Sequence, residues 1–371
     1  MLHILQTGDL HIGKSFHEIS LIEDQEYVLQ QLISELQKEK YDLFLIAGDV
    51  YDRSIPSPEA VALFDKFLSQ VHQVCPQLEV GIISGNHDSG RRLSFGASFF
   101  TSAHIHIQTQ ADNITTPILL YGSNKEPYAL YQIPFLQSGS FFKEDGSPIT
   151  SQSDLLSVAS QKIQESHKKL EEEKGEKIPC LINAHLFVLG GLKSESERVF
   201  IGNSELVSPD LFSFATYGAF GHLHKMQKVS SKLYYAGSPL SYSFDEANTK
   251  KYALKITITD DTKEAVITPL PLTPLHPVIK LEGDFQDFLQ NTPDETTANS
   301  YIQFTCTNKS IIENPLVQLK AKYPYILSLI QKSRKGSDEN TLSQEKKRLL
   351  LKNKESDLNL ENIFKAFITD V

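Results

Sequence analysis

Cysteine is scarce: Cys75, Cys180 and Cys306 are the only three in 371 residues, and no two form a Cys-x-x-Cys pair. That excludes a disulfide framework and a zinc ribbon and fits a reducing cytoplasm. Long apolar runs are missing too. No uncharged stretch approaches the roughly 20 residues that a membrane-crossing helix needs. The opening Met1-Leu2-His3-Ile4-Leu5-Gln6-Thr7-Gly8-Asp9 has no basic segment before its brief apolar run, so no signal peptide is expected. The pattern Gly-x-x-x-x-Gly-Lys-Ser/Thr is absent, so the chain should bind no ATP of its own. Basic charge is in deficit, with 36 Lys and Arg against 46 Asp and Glu and a net charge of -10. That speaks against a broad nucleic-acid surface, because phosphate binding wants a basic footprint. It leaves room for a local one, since Lys14, Arg53, Arg91, Arg92, Lys193, Arg198 and Lys225 all lie within a few residues of the motifs described next.

What is present is a globular composition, 40% hydrophobic and 22% charged, in a chain long enough for two or three domains. No internal repeat is visible. To about residue 260, short apolar runs alternate with helix-period segments, the pattern of an α/β layer fold. Ile4 to Thr7, Leu43 to Ala47, Val80 to Ser84, Leu181 to Ala184 and Tyr217 to Phe220 read as buried strands. Ile22, Val28, Leu29, Leu32, Ile33 and Leu36 repeat at helical spacing. Ser57-Pro58 predicts an N-cap and first-turn proline for a second helix. Ser153 to Lys177 predicts a charged, exposed helix. The stretch Thr268 to Pro274 carries three prolines, cannot continue a helix or central strand, and is expected to mark a boundary. Beyond it, a small β-α-β-α-β module is predicted, then a polar segment from Lys332 to Glu355, then a helix striped with Leu360, Ile363, Phe364, Phe367 and Ile368. The expected division is 1–267, 275–331 and 332–371.

Each of the five strands ends in a group able to hold a metal: Gly8-Asp9-Leu10-His11, Gly48-Asp49, Gly85-Asn86-His87-Asp88, Asn183-Ala184-His185 and Gly221-His222-Leu223-His224. Four carry a glycine just before the ligand, which lets the chain turn sharply off the strand. Ligand sites in open α/β sheets gather at the carboxyl ends of strands, so one crevice could collect all five. Two divalent cations about 3.5–4 Å apart need a bridging carboxylate and several neutral ligands to limit the charge. Asp49 is the natural bridge. Asp9, His11 and His224 would complete one site, and Asn86, His185 and His222 the other. Mixed nitrogen and oxygen ligation suits manganese or iron, with zinc possible. His87 is left free to meet a phosphate or protonate a leaving oxygen, and Asp88 to orient an imidazole. Alone, each piece reads as an ordinary turn or helix cap. Five in order, each at a strand end, do not.

The segments GDLHIG, AGDVYD, SGNHD, AHLF and GHLH, in that order, resemble the five motifs of the calcineurin-like metallophosphoesterases. That superfamily spans protein phosphatases, cyclic-nucleotide phosphodiesterases and nucleases, so the motifs fix chemistry rather than substrate. TGDLHIGK, AGDVYDRSIPSPEA, SGNHDSGRRLSF and GHLHKMQ followed by YYAGSPLSYSFDE are similar to the SbcD-type nuclease subunits within it. The likeness runs through about residue 250 and is one of layout beyond.

The resemblance implies a four-layer α/β/β/α core with a small α/β DNA-capping domain and a C-terminal helical segment. It implies a centre of two divalent ions, manganese foremost, with His87 acting on the phosphate and leaving oxygen. The activity implied is ATP-dependent 3′ to 5′ exonuclease action on duplex DNA and endonuclease action on single strands and hairpins, in repair, replication and recombination. Partners implied are DNA, an SbcC-type coiled-coil ATPase docked on the Leu360 to Ile368 stripe, and a second copy of the chain, paired through the helices after Pro58 and Gly90, as a homodimer within a heterotetramer. Arg53, Arg91 and Arg92 are expected to meet DNA phosphates. A cytoplasmic, nucleoid-associated protein with no membrane contact follows. Two rivals are a stand-alone phosphodiesterase or phosphatase acting on a small molecule or phosphoprotein, and a non-catalytic scaffold. The first leaves the small module and final helix idle; the second is opposed by the complete ligand set.

Overall fold

The computed structural model describes residues 1–188, 191, 206–308 and 312–331. Leu2–Thr7 (β1), Leu43–Ile46 (β2), Glu79–Ile83 (β3) and Ile105–Gln108 (β4) run parallel, side by side. Ile118–Tyr121 (β5), Pro127–Ile133 (β6), Cys180–His185 (β7), Tyr217–Gly221 (β8), Gln227–Lys228 (β9) and Leu233–Tyr235 (β10) form a second sheet in the order β9-β10-β8-β7-β6-β5. Lys251–Ile258 (β11) and Ala265–Leu272 (β12) then return to the first, giving β12-β11-β1-β2-β3-β4.

The strands read as unbroken apolar runs because both faces of each sheet are covered. Side chains alternate between the faces. Leu43 and Leu45 of β2 meet Leu181, Tyr217 and Ala219 of the other sheet, while Phe44 and Ile46 face the opposite way into an outer cluster. Ile22–Lys38 (α1) closes that cluster with Val28, Leu29, Leu32, Ile33 and Leu36. Pro58–Val74 (α2) adds Phe64, Phe67, Leu68 and Val71. It starts where expected, with Pro58 in the first turn and the Ser57 hydroxyl accepting from the Ala60 amide at 3.3 Å. Gln152–Lys174 (α3) covers the second sheet, completing four layers, α/β/β/α. The sequence reads this helix as exposed, but Leu155, Leu156, Ala159 and Ile163 bury one side of its first half. The charges that dominate its composition sit on the other side and in the later turns.

The proline-rich stretch also behaves differently from expectation. Pro269 and Pro271 lie inside β12, paired with Leu254 and Tyr252 of β11. Because β12 is the outermost strand, its prolines forfeit no second ladder of hydrogen bonds. The core sheet therefore runs to Leu272, past the expected limit at 267.

Val278–Gly283 (β13), Phe285–Gln290 (α4), Tyr301–Cys306 (β14), Pro315–Lys320 (α5) and Ile326–Gln331 (β15) follow. The three strands are parallel, in chain order, and share a separate cluster of Phe285, Ile302, Phe304, Leu319, Tyr323 and Ile326. This unit is tied to the core through buried Asp24, which accepts from the Tyr301 hydroxyl at 2.8 Å and lies 2.9 Å from His276 Nδ1. No described helix is long and apolar enough to cross a membrane. Leu360, Ile363, Phe364, Phe367 and Ile368, and the basic Lys193 and Arg198, lie outside the described residues.

Candidate metal centre

β1, β2 and β3 of one sheet and β7 and β8 of the other direct their carboxyl ends to one place. The backbone there is strained. Asp9, His11 and Asp49 have φ of 49°, 46° and 45°, and His222 has φ of 114°. Each such non-glycine conformation costs about 1–3 kcal/mol and persists only where surrounding structure enforces it. Enforcement comes from cross-strand bonds, Asp9 N to Gly48 O at 3.1 Å and His11 N to Asp49 O at 2.9 Å. The glycines do less turning than expected and more making of room. Only Gly48 among the motif glycines before a ligand has a positive φ, 90°. A Cβ on Gly85 would sit 2.1 Å from Asp49 Oδ1, and one on Gly221 would sit 1.7 Å from the Ala47 oxygen. Without them the two sheets could not bring their loops together.

The structure brings all seven sequence-predicted ligands into mutual reach. Asp49 Oδ1 accepts from the His87 amide at 2.9 Å, while Oδ2 lies 3.6 Å from His11 Nε2 and 3.5 Å from His185 Nε2. One carboxylate oxygen thus faces both halves of the site. On one side, His11 Nε2 and His224 Nε2 approach to 3.1 Å. On the other, Asn86 Oδ1 lies 3.0 Å from His185 Nε2 and 3.1 Å from His222 Nδ1. Asp9 Oδ1 accepts from the His222 amide at 2.8 Å. Asp9, Asp49 and His185 form one compact trio of donors and His11, Asp49 and His87 another. All are buried except Asn86, which is half-buried.

These donors fit metal ions better than they fit each other. His11 Nδ1 is 3.5 Å from Asp52 Oδ1 and His224 Nδ1 is 3.5 Å from Glu246 Oε1, so each ring has a carboxylate behind it and turns its Nε2 toward the centre. The two Nε2 atoms approach to 3.1 Å with both rings buried, a spacing at which two imidazoles can share one cation. Burial pushes the His11 and His222 imidazoles down to about 3 and lowers His185 as well, so these three are neutral ligands at neutral pH.

Asp88 departs from expectation. Its carboxylate orients no imidazole; it accepts from the backbone amides of Gly85 and Val50 through Oδ2 and of Tyr51 through Oδ1, at 2.9–3.0 Å. It staples the β3 loop to the β2 loop. Burial, then the nearby Asp49 charge, raises its pKa to about 7. The imidazoles are held by other groups. His185 Nδ1 faces the Ala47 carbonyl at 2.9 Å, and His87 Nδ1 faces the Asp52 carbonyl at 2.9 Å. Two carboxylates that sequence reasoning left without a role stand behind ligands. Asp52 reaches His11 and binds Lys14 at 2.7 Å; burial raises its pKa, but His11 and Lys14 together hold it well below the usual carboxylate range. Glu246 backs His224 and pairs with buried Lys251, which also donates to the His224 carbonyl at 2.9 Å. Arg53, Arg91 and Arg92 are exposed; Arg53 lies beside Asp52, its Nε 3.7 Å from the carboxylate.

The calcineurin-like phosphoesterase model matches residues 2–226, a span that contains every one of these ligands. The chain belongs to the calcineurin-like phosphoesterase family. As a member it is a metal-dependent phosphodiester hydrolase that uses divalent ions. This phosphoesterase is 32% identical over 333 residues to the SbcD component of the SbcCD nuclease from Staphylococcus epidermidis, a match that covers 88% of this chain and 85% of that one. Among solved structures, it aligns with TT1561 of Thermus thermophilus at 12% identity and a TM-score of 0.40, over 72% of this chain and 98% of the other. A dimetal phosphatase from Danio rerio aligns at 11% identity and 0.43, over 74% and 99%.

Proposed function

We propose that this phosphoesterase is the nuclease subunit of an SbcCD-type complex and cuts DNA phosphodiester bonds at a two-metal centre. The observation that carries the reading is Asp49 Oδ2 set between His11 and His185, with nitrogen and oxygen donors grouped on either side, in a chain that resembles an SbcCD nuclease subunit over most of its length. Asp9, His11, Asp49 and His224 would hold one ion and Asp49, Asn86, His185 and His222 the other. Manganese suits this mixed set. When bound, such a pair supplies charge stabilisation on the phosphoryl group and a nucleophile from water at neutral pH.

The chain's own groups do the rest. Neutral imidazoles in place of further carboxylates would leave two bound dications with an excess of positive charge, which attracts a phosphodiester anion. With Nδ1 facing the Asp52 carbonyl, His87 keeps Nε2 for the substrate and is proposed to pass a proton from there to the leaving oxygen. Asp88 holds the two loops carrying Asp49 and His87 in register. Arg53, Arg91 and Arg92, all exposed, are proposed to meet flanking phosphates, and the β13-β14-β15 unit to cap the DNA.

Exposed Ile55, Val61, Phe95 and Phe99, the last two more than 80% exposed, support pairing of two copies through the segments after Pro58 and Gly90. The Leu360 to Ile368 stripe is proposed to dock an SbcC-type ATPase, whose ATP hydrolysis would drive 3′ to 5′ degradation of duplex ends, while single strands and hairpins are nicked. Such an enzyme would work at the nucleoid, in repair, replication and recombination. The test is cleavage of linear duplex, single-stranded and hairpin DNA in Mn2+, with and without the coiled-coil ATPase and ATP. Single-strand cutting by the chain alone, and duplex degradation only with ATPase and ATP, is expected. Rapid hydrolysis of small phosphodiesters with no DNA cleavage would refute the reading.

A further inference from the structure

A cavity of about 460 Å³ opens beside the metal centre and shares Gly85 and Asp88 with it. It lies within the range of roughly 300–1,000 Å³ usual for small-molecule sites. The wall nearest the centre is Phe135, set edge-on to the His185 ring at 6.2 Å and fixed by its amide to the Ser84 carbonyl at 2.9 Å. The outer wall carries Phe142, 64% exposed. Its loop is pinned by backbone bonds, Gly139 N to Ile149 O at 3.1 Å, Ile149 N to Phe141 O at 2.9 Å and Lys143 N to Ser147 O at 2.9 Å. A ring that lines a cavity and yet is largely exposed is available for stacking and is not core. The lining also offers uncharged donors and acceptors, Gln110, Gln137 and Ser138 among them, and Arg91.

We propose that this cavity receives the nucleoside adjoining the scissile phosphate, its base stacked on Phe142 and its polar edges met by side-chain amides. The chemistry favours a base over a second phosphate, because Asp88 and Asp112 also line the space and Arg91 is its one basic residue. Stacking on an aromatic ring tolerates any base, which suits an enzyme without sequence preference. The proposal rests on the nuclease reading and deepens it.

The test compares kcat/KM in Mn2+ on three esters with one leaving group: thymidine 5′-(p-nitrophenyl phosphate), thymidine 3′-(p-nitrophenyl phosphate) and methyl p-nitrophenyl phosphate. Wild type should prefer one thymidine ester over the methyl ester by about tenfold, the scale of one base–aromatic stack. The preferred isomer tells on which side of the phosphate the cavity lies. Phe142→Ala should lose most of that preference and keep its rate on the methyl ester, and Phe142→Tyr should keep both. No preference in wild type, a preference that survives Phe142→Ala, or an equal fall on the methyl ester would overturn the proposal. Failure of the nuclease reading looks different: wild type would hydrolyse the methyl ester and leave DNA intact.

Discussion

Asp88→Ala removes one acceptor and strands three donors. The amides of Gly85, Val50 and Tyr51 now share its carboxylate at 2.9–3.0 Å, and the group is 7% exposed, so bulk water is a poor replacement. A hydrogen bond contributes about 0.5–1.5 kcal/mol to a neutral acceptor and about 1.5–3 to a charged one, and with its pKa raised to about 7 Asp88 is only partly ionised at neutral pH, so three bonds span roughly 2–9 kcal/mol. A water entering the vacated space would restore part, which leaves an expected loss of about 3–6 kcal/mol. At roughly 2–4 °C per kcal/mol for a core of this size, the melting temperature should fall by about 6–24 °C. Thermal melting of metal-stripped protein is the assay, since it separates the backbone role from any effect on ions. Asp88→Asn keeps one acceptor oxygen and turns an NH2 toward a donor, so it should fall between wild type and the alanine variant. Had Asp88 oriented an imidazole, its loss would appear in catalysis and hardly in melting. An alanine variant that melts within about 2 °C of wild type would refute the backbone assignment.

Glu246→Ala should weaken one of the two metal sites by about 10–100-fold, the usual cost of losing a group that orients a ligand, with Glu246→Gln in between; calorimetric manganese titration reads this directly, and unchanged affinity would separate Glu246 from His224. Gly221→Ala should yield a chain that fails to fold or holds no metal, because the new Cβ falls 1.7 Å from the backbone oxygen of Ala47; circular dichroism with metal analysis decides, and a folded, fully loaded variant would contradict the packing described. His87→Ala should retain both ions and lose about 10²–10⁴-fold in cleavage; full activity would remove His87 from the chemistry.

The grouping of these side chains is readable from the sequence because strand ends announce themselves: an apolar run, then, at four of the five ends, a glycine before Asp, Asn or His. Joint occurrence at five strand ends carries information that no single motif does. Asp52 and Glu246 were not readable, since an acid that backs a histidine and one that faces water look alike until the chain is folded. Asp88 was misread because it adjoins His87 in sequence, whereas its three partners are backbone amides, which no side-chain pattern encodes. The buried side of α3 was masked by the lysines and glutamates of its outer side and later turns. The prolines of β12 were read as a break because sequence alone does not say that the strand is the outermost in its sheet.

The manganese content of the purified chain, measured together with its cleavage of single-stranded DNA across one Mn2+ titration, tests the two-metal centre most directly. Cleavage that rises in step with filling to two ions per chain is predicted. Cleavage that is complete with one ion or none, or two bound ions with DNA left uncut, would contradict it.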